Sequence, residues 1–221
     1  MINIFYSEIQ KDIHDDLLRF SFPHFSEECK EKLLKYQRWQ DAQLSLMGKL
    51  LLKIGLIEHN SNHTLKELMF TKYNKPFFYD EDIQFNISHS GEIVVCAITS
   101  EYSTIGIDIE NIQTINVKDF ESYMTENEQH TIFSSEEIEK TFFSYWTQKE
   151  AVLKAHGEGL SIPLKSFEIK NNEAIIDMVN YFLYEIALFK NYSCHIASNE
   201  KLQSNKITIT KIDIKNFFNH E

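Results

Sequence analysis

Ile105-Gly106-Ile107-Asp108-Ile109-Glu110, the stretch IGIDIE, alternates apolar residues with small or acidic ones. Read as a strand with period two, it sends Ile105, Ile107 and Ile109 to a core face and Gly106, Asp108 and Glu110 to the other. Two carboxylates then stand side by side. Neighbouring like charges repel and raise each other's pKa, and a divalent cation between them removes that penalty. A half-exposed strand with a polar face is the commoner reason for such alternation, and by itself the stretch decides nothing.

Working outward, the neighbouring segments also read as strands. "IQFNIS" and "EIVVCAITS" flank the turn "HSG", and "LMFTKYNKPFF" reads strand, turn at Asn74-Lys75-Pro76, strand. Together with "IGIDIENI" these are expected to form one antiparallel sheet. Upstream, Ser26 can cap a helix running toward Trp39, and Leu44, Met47, Leu51 and Ile54 recur at helical spacing until Gly55. Downstream, Ile138, Phe142, Tyr145, Val152 and Leu153 mark a second helical stretch from Ser135 to His156, with Gly157 as its stop. After Pro163 come "SFEIK", "EAIIDM", "YFLYEIALF", "YSCHIAS" and "KITITKIDI", all strand-like. Helices followed by strands, twice over, indicate an α+β fold rather than a doubly wound parallel sheet. Two similar lobes explain the order, and "CAIT" in one hairpin faintly echoes "CHIAS" in the other.

Composition narrows the classes of function. The 221 residues, 43% of them hydrophobic, suffice for one large domain or two small lobes, and 6 Gly with 3 Pro leave little for flexible linkers. A net charge of −11 argues against nucleic-acid binding, which rests on neutralising phosphates. Between Lys30 and Lys53, however, Lys30, Lys32, Lys35, Arg38, Lys49 and Lys53 outnumber Glu31 and Asp41. Such a run is either a solvated helix face or a local site for a small anion. The longest apolar run, Val179 to Phe189, is far short of the roughly 20 residues of a membrane span. With no basic flank and apolar region of a secretory signal at the amino terminus, a cytoplasmic, membrane-free location is expected. Cys29, Cys96 and Cys194 are odd in number and far apart, so reduced thiols are expected; His59 and His63 bracket turn chemistry and read as a solvated loop.

A second stretch carries chemistry. In "WTQKEAVLKAHGEGL", Trp146, Glu150 and Lys154 are spaced by four and share one helix face. An exposed Glu-to-Lys pair, worth about 0.2–0.5 kcal/mol, would explain the last two on its own. Mg²⁺ takes oxygen ligands, commonly a few carboxylates with phosphate oxygens and water, and Asp108 and Glu110 could supply two of them. Gly106 on the same face would leave room for a bulky ligand to approach the backbone. No G-x-S-x-G elbow marks a nucleophilic serine and no cysteine has an evident activating base.

"IGIDIE" with "FFSYWTQKEAVLKAHGEGL" resembles the two signature motifs of the phosphopantetheinyl transferases, of the surfactin-synthetase-activating type in length. "YNKP" resembles that family's "YGKP", and "FNISHSG" matches its strand-turn motif. The resemblance spans roughly residues 26 to 165. It implies two pseudo-symmetric α+β lobes, each a small antiparallel sheet packed on helices, with coenzyme A in the cleft between them. The lobes are expected at 1–104, on the coenzyme's phosphate side, and at 105–221, with the metal and the catalytic helix. The implied reaction is a Mg²⁺-dependent transfer of the 4'-phosphopantetheine arm to a serine of an acyl or peptidyl carrier protein.

Carried over, Asp108, Glu110 and Glu150 would ligate Mg²⁺, Lys154 would neutralise phosphate charge and Glu150 would accept the serine proton. His89, Lys32 and Ser45 would hold the ribose phosphate, with Lys75 and Ser88 along the adenine and pyrophosphate. Asn74 replaces a usual Gly, and Cys29 and Leu44 stand where relatives often carry basic residues, for which Lys30 or Arg38 would compensate. Tyr123, Met124 and Phe133 are expected to offer apolar contacts to a carrier helix. Two fused lobes would form the cleft without a second chain, so a monomer is expected. A Mg²⁺-dependent nucleotidyltransferase or phosphohydrolase, though without a Gly-rich phosphate loop, and a non-catalytic coenzyme A-binding module are the other readings.

Overall fold

A computed structural model describes residues 1–79, 82–102, 104–201 and 203–215. In chain order the elements are β1 (Ile2–Glu8), α1 (His14–Ser21), α2 (Glu27–Leu34), α3 (Trp39–Glu58), β2 (Met69–Phe70), β3 (Pro76–Phe77), β4 (Gln84–Ser90), β5 (Ile93–Thr99) and β6 (Ile105–Asn111). Then follow α4 (Glu126–Phe133), α5 (Ile138–His156), β7 (Glu173–Ile176), β8 (Val179–Glu185), β9 (Tyr192–Ser198) and β10 (Ile207–Lys211), with short 3₁₀ turns between several of them. The chain divides into two compact units, Met1–Glu101 with the segment from Asn205 onward, and Tyr102–Ser204.

The first unit is a four-stranded sheet in the order β10-β1-β5-β4. Its core gathers Phe5, Cys96 and Ile98 from the sheet with Leu46, Met47, Leu50 and Leu51 of α3. Ser26 does cap a helix, its hydroxyl accepting from the Cys29 amide at 3.3 Å, but that helix is the short α2. The helix expected to run toward Trp39 stops at Leu34, and α3 starts afresh at Trp39 and continues past the expected stop at Gly55 to Glu58. Gly55 is a packing position: a Cβ there would lie 2.8 Å from Ile98 Cγ2.

The second unit is a sheet in the order β6-β9-β8-β7, antiparallel throughout, with α5 laid across it. Both units follow one path: a strand, a long helix, then a meander whose last strand pairs antiparallel with the first. In the first unit that is β1, α3, β4 and β5; in the second it is β6, α5, β7–β8 and β9. Cys96 and Cys194, the two ends of the faint sequence echo, sit on the equivalent strands β5 and β9.

Three expectations about the strands need correction. The segment IGIDIE does not extend the sheet of β4 and β5; β6 pairs with β9 in the other unit. The boundary of 105–221 fails at its carboxy end, since Ile207–Lys211 pair in parallel with Ile2–Tyr6 of the first unit, whose sheet is therefore mixed. "SFEIK" forms no strand beyond an isolated bridge from Lys170 to Glu173. Local alternation identifies a strand but carries no information about its partner, which the core decides.

Candidate functional site

Asp108 enters the site from the middle of β6, and Lys154 reaches it from the last turns of α5. The Lys154 Nζ donates to Asp108 Oδ1 at 2.6 Å. The period of two places Gly106, Asp108 and Glu110 on the face toward α5, while Ile105, Ile107 and Ile109 are buried on the other. Gly106 has a different function from the one expected. A Cβ at this position would collide with the backbone of Ala151 and Ala155 and lie 2.8 Å from Lys154 C. The space is filled by helix, not ligand: glycine lets α5 settle on β6 closely enough for Lys154 to span to Asp108. Gly157, at φ 95, then stops α5 just beyond Lys154 in the left-handed conformation that glycine tolerates.

Asp108 is only 3% exposed, and Glu110 is half-buried on the same face. Glu150 sits one helical turn before Lys154. Burial raises its carboxyl pKa, the Asp108 charge raises it further and Lys154 pulls it back. Thus Asp108, Glu150 and Lys154 share one electrostatic environment, and Glu110 lies along the same strand face. Among the described residues no three His, Cys, Asp or Glu side chains are gathered into a ready-made metal cage. The donor set nevertheless suits Mg²⁺, which binds through one or two carboxylates and substrate phosphates rather than in an all-protein cage. The mutual strain of Asp108 and Glu150 is of the kind a divalent cation relieves.

Behind Asp108 lies a polar layer that periodicity could not reveal. His195 is directly opposite Asp108 in the β6–β9 pairing, and its Nδ1 lies 2.8 Å from the Thr147 hydroxyl of α5. That hydroxyl also lies 2.9 Å from Ser193 Oγ and donates to Phe143 O at 2.8 Å. Burial lowers the His195 pKa to about 4, so the ring is neutral near neutral pH. The sign follows: the unfolded chain, with a histidine near 6.5, binds the proton more readily, so stability is lost as pH falls from 6.5 toward 4. Urea unfolding at pH 7 and pH 4 should show a loss from this group on the order of 3 kcal/mol, which His195→Gln removes. An equal pH dependence in that variant would remove His195 from the account.

The helix α5 also carries Lys149, wholly buried and paired at 2.9 Å with Glu128, which is 1% exposed. Lys149 donates to Leu164 O at 2.9 Å and Phe167 O at 2.7 Å. Glu128 accepts from the amides of Thr125 and Ile169. This knot ties α4, α5 and the segment after α5 together. Its local mark is the capping box at the start of α4, in which Thr125 and Glu128 each accept from the other's amide. Trp146, grouped above with Glu150 and Lys154, instead meets Phe120, Tyr123 and Phe142 edge-on or tilted, 5.6 to 5.8 Å between ring centres. Met124 is corrected as a docking residue: it is 1% exposed, in the core with Ile132 and Phe142. Tyr123 and Phe133 are 44% and 37% exposed.

In the first unit, Lys32 and Ser45 line one cavity of about 370 Å³ with Ser26, Cys29, Tyr36, Lys49 and Asn74. Glu28, on its rim, pairs with Lys32 at 2.8 Å. Asn74 adopts φ 64, the left-handed turn expected where a glycine is usual. Lys75, Ser88 and His89 do not line this cavity. Ser88 is buried and His89 exposed on successive positions of β4, and burial lowers the Lys75 pKa to about 8. Lys30 and Arg38, the expected substitutes for missing basic residues, are also elsewhere: Lys30 pairs with Glu27 at 2.6 Å and Arg38 with Asp41 at 3.9 Å. His59 and His63 form no pair; the first contacts Asn3 and the second Asp82. Among the described residues no helix is long and apolar enough to cross a membrane.

Comparison with known proteins covers nearly the whole chain. Residues 12–101 match the family described as 4'-phosphopantetheinyl transferase, N-terminal, and residues 104–210 match the 4'-phosphopantetheinyl transferase superfamily. The 4'-phosphopantetheinyl transferase gsp of Aneurinibacillus migulanus is 35% identical over 99% of this chain and 94% of its own. The transferase Sfp of Bacillus subtilis is 33% identical over 66% of each chain. A crystal structure of Thermotoga maritima holo-[acyl-carrier-protein] synthase overlaps 45% of this chain and 64% of its own at a TM-score of 0.37 and 18% identity, too partial to bear on the fold. With motif residues on β6 and α5 joined by a direct contact, and a relative aligned almost end to end, the chain belongs to the 4'-phosphopantetheinyl transferase superfamily.

Proposed function

We propose that the protein transfers the 4'-phosphopantetheine arm of coenzyme A to a serine hydroxyl of an acyl or peptidyl carrier protein. The observation that carries this reading is the Lys154–Asp108 contact with Glu150 in the same field, a charge arrangement suited to a diphosphate and a proton acceptor. In the reaction the serine oxygen attacks the phosphorus that bears the pantetheine arm. The bond to the bridging oxygen of the diphosphate breaks, and adenosine bisphosphate leaves. Such a displacement needs positioning and charge stabilisation rather than an enzyme nucleophile.

The residues divide the work in this scheme. Asp108, Glu110 and Glu150 would hold Mg²⁺; the ion, when bound, supplies charge neutralisation for the diphosphate oxygens. Lys154 is oriented by Asp108 and adds a second positive charge toward those oxygens. Glu150 takes the serine proton, directly or through water. Its raised pKa makes it a better base than an ordinary surface carboxylate once it is ionised. Lys32 and Ser45 hold the ribose phosphate, and Lys75, Ser88 and His89 contribute along the nucleotide. Tyr123 and Phe133 offer the exposed apolar surface a carrier helix requires.

The direct test is to incubate the protein with coenzyme A, Mg²⁺ and an apo carrier protein and to weigh the carrier by mass spectrometry. The expected result is a gain of one phosphopantetheine arm per carrier, dependent on the carrier serine. An unchanged carrier mass across apo carriers of fatty-acid, polyketide and peptide assembly would overturn the proposal.

A further inference from the structure

The cavity of Lys32 and Ser45 holds a second cation that the motifs do not mark. Lys49 lies one turn after Ser45 on α3, and its ammonium donates to Ser45 Oγ at 2.9 Å and Ser45 O at 3.1 Å. A lysine ammonium has three donors, so this geometry leaves one directed elsewhere. Its anchor is a serine, not a carboxylate, and its charge is not cancelled in place. Burial lowers the Lys49 pKa, the neighbouring Cys29 raises it part of the way back and the charge of Lys32 lowers it again. The two ammonium groups therefore act on one another within a single cavity of about 370 Å³, lined also by Ser26, Tyr36 and Asn74. Lys32 stays close through an exposed pair with Glu28 and a position 4.9 Å over the Phe70 ring, neither strong enough to fix it. Two cations lining one cavity together with hydroxyl donors are chemically complementary to a phosphate monoester dianion.

We infer that Lys49 is a specificity-determining residue for the nucleotide end of coenzyme A, forming with Lys32 a two-cation grip on the ribose 3'-phosphate while fixing the Ser45 hydroxyl beside it. The inference rests on the proposed function for the identity of the ligand. It also explains how Cys29 and Leu44 are accommodated: Leu44 is buried in the core, and Cys29 shares the cavity with Lys49, which supplies the charge. Lys30 and Arg38 are engaged outside it.

Lys49→Met keeps the stem and removes the charge. Steady-state transfer should show KM for coenzyme A raised about 10-fold or more, as expected for loss of a charge-assisted hydrogen bond. KM for 3'-dephospho-coenzyme A should change by less than about twofold and kcat should hold, since the grip is uniform binding. A second measurement needs no turnover. Cys29 is the half-accessible thiol of the three, Cys96 and Cys194 being buried. Coenzyme A should slow alkylation of Cys29 by a maleimide in the wild-type protein, and 3'-dephospho-coenzyme A should protect far less well. In Lys49→Met the advantage of coenzyme A over 3'-dephospho-coenzyme A in protection should shrink about 10-fold, in step with KM. Equal losses for both substrates, or unchanged KM and protection in the variant, would overturn the assignment. An inactive wild type whose Cys29 is still protected in the phosphate-dependent way would count against the proposed reaction and leave Lys49 in its place.

Discussion

Asp108→Ala is expected to abolish transfer to the carrier, and Glu150→Gln to slow it by the roughly 10²–10⁴-fold typical of a lost general base. The two variants fail for different reasons. Without Asp108 the Lys154 ammonium loses the partner at 2.6 Å that aims it, and the proposed Mg²⁺ site would lose its most buried carboxylate. Asp108 also raises the Glu150 pKa, so its removal shifts the remaining carboxylate back toward the ordinary value. Gln at 150 keeps the shape and removes the proton acceptor. Initial rates by mass spectrometry, with coenzyme A, Mg²⁺ and apo carrier held constant, separate these effects, and circular dichroism reports whether each variant is folded. A folded Asp108→Ala protein with wild-type rates would refute the metal and phosphate roles assigned here. Retention of full rate by Glu150→Gln would move the base to another group or to solvent.

Lys149→Met is expected to cost about 3–5 kcal/mol of stability, because it leaves the Glu128 carboxylate buried without its counter-charge. Both partners are essentially inaccessible to water, and Glu128 also serves as the acceptor for the Thr125 and Ile169 amides. Converting Glu128 to Gln in the same chain neutralises the stranded charge while keeping an acceptor. The double variant should therefore lose less than the sum of the single losses. Urea unfolding of the four proteins measures this coupling. A loss below about 1 kcal/mol for Lys149→Met would show that the pair is not held as tightly as its burial implies. Because Lys149 adjoins Glu150, the transfer rate of any folded fraction reports whether the knot also positions the catalytic helix.

Much of this site could be read from local pattern. Asp108 and Glu110 share a strand face by the period of two, and Glu150 and Lys154 share a helix face by the spacing of four; α5 lies on that strand face, and Lys154 reaches Asp108 across it. The left-handed Asn74 and the stop at Gly157 likewise follow from backbone chemistry confined to single residues. Other residues gave no such signal. Met124 and Tyr123 are adjacent in a loop-like stretch, yet one is core and the other surface, because burial there depends on Phe142 and Ile132 arriving from elsewhere. His195 and Lys149 look like ordinary polar residues until their partners, 48 and 21 positions away, are brought to them.

The amino-acid sequence by itself determined the α+β composition and the faces on which the acids and Lys154 stand, since these rest on periodicities a few residues long, and its motifs pointed to the family by resemblance. The tertiary structure alone decided that β6 leaves the sheet of β4 and β5, that β10 returns to lie parallel to β1, that Gly106 admits a helix rather than a ligand and that Lys49 shares a cavity with Lys32. Those outcomes depend on which distant surfaces exclude water together, and no local pattern encodes a partner that lies elsewhere in the chain.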